Sequence, residues 1–336
     1  MRRNLGLGLF GLGVLLLVLA PVIRFAVAPQ LVRAPLDVDV TLPHGGTDFR
    51  YLSATEGREV VLPHVSVTRH IQGDVKSGNH DVAVYEQGLC LTRDDKDQKL
   101  GCLENDPRTI VNFYTRFAFD RVTGLAVSGA KCGSSGKENC QQAEDGDTVV
   151  HQGLGFTFPQ LTEKKTYLYW DNVARKAYPM QYVDQEKKEG LTVYKFRQVI
   201  TDAPAMTSGV FPSLYSNTRT LWIEPTTGAI IHGQEEINQR LTGRASNDPG
   251  AAMRDPSLAG LTALQGTLAF TPEADRIQAK IARDGIASIN LIRVYLPLGS
   301  LVLGVILVAV GLVLTLARGG QPRPSGRVRA ASPAAA

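Results

Sequence analysis

FAFDRVTGLAV, residues 117–127, and LWIEPTTGAII, residues 221–231, are the two stretches on which the reading of the fold turns. Each sets an acid, Asp120 or Glu224, after an apolar, aromatic-containing run and four residues before a glycine, Gly124 or Gly228. Glycine there supplies the positive φ that a tight reversal between strands needs. The acid can accept backbone N–H bonds across the reversal, and Pro225 presets φ in the second copy. Asp120 and Glu224 therefore read as turn acceptors and not as catalysts. The copies lie 104 residues apart, which points to two related halves.

Working outward, β-branched and aromatic runs alternate with Gly, Asp, Asn and Pro, as strands and their connections do. Asp37 to Leu42 alternates with period two. Further strands are expected over 64–71, 80–92, 109–119, 125–128, 166–170, 191–201, 219–224 and 229–233. From Thr242 to Gly266 the composition turns to Gly, Ala, Ser, Pro and Asp, and no strand is assigned. Thr271-Pro272-Glu273 is a helix start: a hydroxyl cap, Pro at the first helical position and an acid in the first turn. Ile277, Ile281, Ile286 and Ile289 then mark an amphipathic helix bent at Gly285.

The two ends of the chain are different in kind. Asn4 to Ile23 is a 20-residue run without charge, and Val294 to Ala317 is one of 24. A helix of about 20 apolar residues crosses a hydrocarbon core of roughly 30 Å. The first run is longer than the apolar region of a signal peptide, and Pro29 directly follows the small-residue site Ala26-Val27-Ala28, so an uncleaved anchor is expected. Gly304 and Gly311 share one face of the second run, where a close helix contact is expected. Arg2 and Arg3 flank the first span, and Arg318, Arg323, Arg327 and Arg329 follow the second. The positive-inside rule then puts both termini in the cytoplasm and the bulk of the chain outside the plasma membrane.

The expected class is α+β, a mostly antiparallel β domain outside the cytoplasm held by N- and C-terminal transmembrane helices. The segments are 1–27 for the Arg pair and first span, 28–270 for the β-rich domain, 271–293 for the juxtamembrane helix, 294–317 for the second span and 318–336 for a basic, disordered tail. Without the six arginines of the cytoplasmic ends, 30 basic residues face 32 acidic ones. That balance gives no electrostatic footprint for nucleic acid. Cys90, Cys102, Cys132 and Cys140 all fall in the external part, where an oxidising compartment favours disulfides. Pairing 90–102 and 132–140 would close two short loops, but four cysteines allow three connectivities.

Motifs for catalysis are missing. None of the six histidines forms H-E-x-x-H, and there is no nucleophile elbow, phosphate loop or dinucleotide fingerprint. No metal site and no cofactor are expected. The most distinctive stretch is aromatic: Tyr167, Tyr169 and Asp171 share one strand face and Leu168 and Trp170 the other, with Tyr178 and Tyr182 beyond. It reads either as a strand covered on both faces or as an apolar groove with phenol hydroxyls as polar anchors for a lipid or glycan.

The succession FAFDRVTG, GLGFTFPQLTEKKTYLYWD, KAYPMQY, GLTVYKF and LWIEPTTGAII, between two apolar spans, resembles the actinobacterial PorA-like porin family of two-anchor membrane proteins. The resemblance implies a cell-envelope protein with a large external domain and carries over no catalytic residue. A transmembrane β-barrel needs lipid-facing alternation and no apolar helices, so the helices are expected to make the membrane contact. The expectation is a non-enzymatic protein whose external domain binds or transfers a membrane lipid or lipoglycan. The alternatives are a scaffold for an envelope glycosyltransferase or transporter, with a membrane-protein partner on the helices, and a porin-like channel.

Overall fold

A computed structural model describes residues 2–53, 56–93, 102, 108–127, 150–207, 211–243 and 256–316. Two compact units result: the described residues of Met1–Gln30 with those from Asn290 onward, and Leu31–Ile289.

In the larger unit the described residues form ten strands: β1 (Asp39–Ser53), β2 (Arg58–Gly73), β3 (Val82–Arg93), β4 (Thr109–Asp120), β5 (Tyr167–Asp171), β6 (Lys176–Lys188), β7 (Leu191–Thr207), β8 (Phe211–Ile223), β9 (Ile230–Leu241) and β10 (Thr262–Phe270). All neighbours are antiparallel, in the order β4-β3-β2-β1-β10-β9-β8-β7-β6-β5. The edges do not stay open. Ala126 bridges to Phe119 of β4, Leu125 to Leu154, and Leu154 to Tyr169 of β5. Backbone bonds follow the same path, from Val127 to Ala118, Ala126 to Gly153 and Leu154 to Leu168. Two short pieces thus close the sheet into a ring, which removes the unpaired edges that invite aggregation.

The two halves expected from the matching turns are not equivalent: Leu154 bridges β5 in parallel, whereas β10 pairs β1 antiparallel. The quoted stretches end β4 and β8 with the same turn. Asp120 Oδ1 accepts from the N–H groups of Val122 and Thr123 and from the Thr123 hydroxyl. Glu224 accepts from the N–H groups of Thr226 and Thr227 and from the Thr227 hydroxyl. Gly124 and Gly228 have φ of 70° and 76°. Residues 153–162 run from one turn to the other, and Phe158 N–H donates to the Gly228 carbonyl while Thr162 N–H donates to that of Pro225. A Cβ on Gly228 would sit 2.1 Å from the Phe158 oxygen, and one on Gly124 3.0 Å from that of Thr157.

Alternation divides the ring into two faces. Phe196, Gln198 and Ile200 of β7 are buried, whereas Arg197 and Val199 are exposed; on β9, Gln239 is buried and Glu236, Asn238 and Arg240 are exposed. The largely apolar face is inward and the polar face outward, the reverse of a barrel that meets lipid with its strands. Inside, Leu42, Leu154, Phe158, Tyr169, Met180, Phe196, Ile223 and Phe270 form one cluster. Phe49, Tyr51, Val65, Val67, Leu89 and Leu91 form a second. Outside, α3 (Pro272–Asn290) lays Ala279 and Ala282 on Val193, Trp222 and Ile231. Thr271 accepts the Ala274 N–H as its cap. α3 runs unbroken through Gly285, where an added Cβ would lie 2.9 Å from the Thr227 side chain.

β6 and β10 were not expected as full strands. β6 is polar on one face and carries Pro179, and β10 has Gly266 and no aromatic before its last residue, so neither shows a strong strand composition. Cys90 and Cys102 are joined by a disulfide across the β3–β4 connection. Cys132 and Cys140, like the basic tail, lie outside the described residues.

The smaller unit pairs α1 (Arg2–Val22) with α4 (Leu296–Leu316). Gly6 and Gly13 meet Gly311 and Gly304: a Cβ on Gly13 would lie 2.8 Å from the Gly304 oxygen, and one on Gly311 2.7 Å from that of Gly6. Such small residues let helix backbones approach closely. Leu15, Val18, Val305, Ile306 and Val313 are exposed around them. Pro21 removes one helical N–H, and the π-helical turn Ile23–Val27 follows it before α2 (Ala28–Leu31). A second π-helical turn, Leu291–Tyr295, precedes α4, and Arg24 donates to the Arg293 carbonyl.

Gly228→Ala is expected to destabilise the chain by about 2–4 kcal/mol in urea unfolding, through both the positive φ and the Phe158 contact. Gly190 has φ of 75° but open space around it, so Gly190→Ala should cost only ~1 kcal/mol. Equal losses at the two sites would show that the crossing segment does not depend on the turn.

Candidate functional site

The inward residues of the ring are not all apolar. β8 places Asn217, Arg219 and Leu221 on one face, and β5 places Tyr169 and Asp171 opposite. Arg219 is the hub. Its Nε donates to Glu235 Oε1 at 2.9 Å, Nη2 to Asp171 Oδ2 at 3.1 Å, and Nη1 to Gln198 Oε1 at 3.0 Å. Its guanidinium also lies over the Tyr169 ring, 5.6 Å from the centroid. Tyr215 donates to Asp171 at 3.2 Å, and Asn217 donates to both Tyr215 and Glu235. Asp171, Gln198 and Asn217 are buried.

Burial alone would raise the Glu235 carboxyl, but Arg219, and then Arg69, hold it below its ordinary value. Burial works against the Arg219 cation too, yet Glu235 and Asp171 keep it charged. The interior ions therefore survive only as a set. Arg69 of β2 faces the same interior, because its strand neighbours Val67 and Ile71 on that face belong to the two core clusters. Burial pulls its basicity down, with Glu235 opposing. His44 of β1 is held at about 3, first by burial and then by Arg69. Its Nδ1 lies 3.0 Å from the Leu42 carbonyl. His151, packed on Trp170 and Phe117, is likewise lowered to about 4 by burial.

The aromatic residues singled out from the sequence fall into three places. Tyr167, Tyr169 and Tyr182 pack against the first cluster with Phe158 and Phe196. The Tyr169 hydroxyl donates to the Gly155 carbonyl at 2.5 Å, and that of Tyr167 accepts from Glu163 N–H. Trp170 points the other way, onto Phe117 and Phe119, and bonds Asn172. Tyr178 packs against Ile200, Ala203 and Tyr215. The strand faces are as expected: Tyr169 and Asp171 inward, Trp170 opposite and Leu168 exposed. Sequence reasoning passed over Arg69, Arg219 and Glu235. Their signal was parity, a charge at a position whose neighbours two residues away on the same face are buried or half-buried.

A family model, "Porin PorA", matches residues 5–313. The chain belongs to the porin PorA family. A protein of Corynebacterium amycolatum named Porin PorA is 23% identical over 316 residues, covering 70% of this chain and 78% of its own. One of Corynebacterium resistens with the same name is 24% identical over 311 residues, covering 70% and 72%. The family, the two apolar helices and the disulfide together describe a membrane protein.

Arg219→Met would leave Asp171 and Glu235 buried without their cation, and is expected to lower stability by about 3–5 kcal/mol in chemical denaturation. A second expectation concerns acid. His44 and His151 are depressed in the fold, so below the unfolded value of about 6.5 the unfolded chain binds more protons and stability falls as pH falls. Thermal midpoints should therefore drop between pH 6.5 and about 4, and the double variant His44→Phe, His151→Phe should flatten that slope.

Proposed function

We propose that this protein is a non-enzymatic protein of the plasma membrane whose β ring, on the outer side, binds or transfers a lipid or lipoglycan of the envelope. One observation carries the reading. α1 and α4 spend their small residues on each other, through Gly6, Gly13, Gly304 and Gly311, and turn apolar side chains outward. A helix pair of that kind anchors, and it offers no polar lining within one copy. The ring, with apolar clusters and a charged layer inside, is left to do the work. Arg2 and Arg3 at one end and the arginine-rich tail at the other favour cytoplasmic termini.

A second reading follows from the relatives' name, porin. Conduction would then need several copies, with the path between helix pairs, because the outward face of the ring is polar. Purification from native membranes followed by lipid extraction and mass spectrometry separates the readings. A bound lipoglycan or phospholipid at near one per chain, with no conductance in planar bilayers, is the expected result. Steady conductance with no retained lipid would replace the binding reading with the channel.

A further inference from the structure

We infer that Arg24 and Arg293 form a paired site for the head-group phosphate of an anionic phospholipid, at the end of the helix pair from which the chain leads into the larger unit. The site lies wholly within the smaller unit, so it goes beyond the role proposed for the ring and does not require it.

The two arginines are joined by the build of the helices. Arg24 ends the uncharged run of the first span, and Arg293 directly precedes that of the second. Each sits in a π-helical turn, Ile23–Val27 and Leu291–Tyr295, and the two turns meet. Such turns are rare and often mark functional positions. Pro297 has no N–H to offer the carbonyl four residues back, that of Arg293, and Arg24 Nη1 donates to it instead. The close contact of Gly13 with Gly304 holds the helices behind them. One guanidinium is thereby fixed against the backbone of a second arginine.

Charge and depth decide what meets them. Residues 1–30 and 290–316 hold no Asp or Glu, and no ion pair among the described residues uses either arginine. Both side chains are half-buried, so both reach the surface of the helix pair. A lone arginine at the end of a span extends to water and needs no fixed partner. A linked pair sets two unneutralised charges at one point of the membrane surface, where lipid phosphates are the anions at hand. A guanidinium fork matches phosphate oxygens in a bidentate way. Phe25 and Tyr295, exposed beside the arginines, occupy the position of aromatic residues that settle at head-group level. The topology proposed above turns this end outward, where basic flanks are the exception. The missing acids then select the lipid. The ammonium of a zwitterionic head group finds no carboxylate in this unit and adds to its positive charge, whereas phosphatidylglycerol brings no ammonium.

The test uses full-length protein in phosphatidylcholine vesicles with a trace of photoreactive phosphatidylglycerol, or of the matching phosphatidylcholine, the reactive group being high on the acyl chain. After illumination, labelled peptides are mapped by mass spectrometry. Phosphatidylglycerol should label residues 22–31 and 291–298 several-fold more than phosphatidylcholine does. The double variant Arg24→Gln, Arg293→Gln should bring the two probes level there. Each single variant should lose part of the preference, which decides the matter if the double variant does not melt cooperatively. Equal labelling by both probes in the unaltered protein would mean ordinary boundary lipid only, and a preference that survives in the variants would place its cause at other residues; both overturn the inference. The readout is local, so label within the ring bears on the binding role proposed above and leaves the helix site to be decided by these two segments.

Discussion

Everything in the larger unit depends on one close backbone approach. Residues 153–162 pass against Gly124 at the end of β4 and Gly228 at the end of β8; a side chain is strained by positive φ at both and would also collide with the Phe158 carbonyl at Gly228. The segment carries Leu154, which completes the sheet between residues 125–127 and β5, and Phe158, which sits in the middle of the larger cluster. One segment therefore serves both the closure and the core. The turns that begin as local chemistry, an acid gripping two backbone N–H groups, end as the two clasps of a ring.

Closure also decides where charge can be kept. An open sheet would leave Arg219, Asp171 and Glu235 in water, where each would be well solvated and weakly coupled. Inside the ring they are deprived of water and must satisfy one another, which explains the density of bonds around Arg219. The polar layer separates two apolar clusters, so the interior is specific in register: a slip by one residue would turn Arg219 outward and Thr220 inward.

Much of this was legible beforehand. The apolar runs at the two ends, the Asp120 and Glu224 turns, and the β-branched and aromatic runs of β3, β4 and β7 all follow from local composition. β6 and β10 were harder, because what holds them is pairing with neighbours far along the chain and not a strong strand sequence. The matching turns could be read from sequence, but the bridges at 125, 126 and 154 that close the sheet leave little mark there. The aromatic stretch 167–182 stood out for its composition. Most of its rings pack against neighbouring core side chains, while the charges that hold the interior together were hidden by ordinary surroundings. A buried Arg in an alternating strand is visible only once both neighbours on its face are known to be buried.

The pairing of β1 with β10 sets the order of events during synthesis. His44 stands opposite Phe270, and α1 meets α4. The first strand and first helix thus wait for the last ones to be made. Until β10 arrives, β1 is an edge with free N–H and C=O groups, exposed to neighbouring chains. Contacts this distant in sequence form slowly. The β1–β10 seam can close only once β10 has been made, and the window before closure is where a cell would need a chaperone.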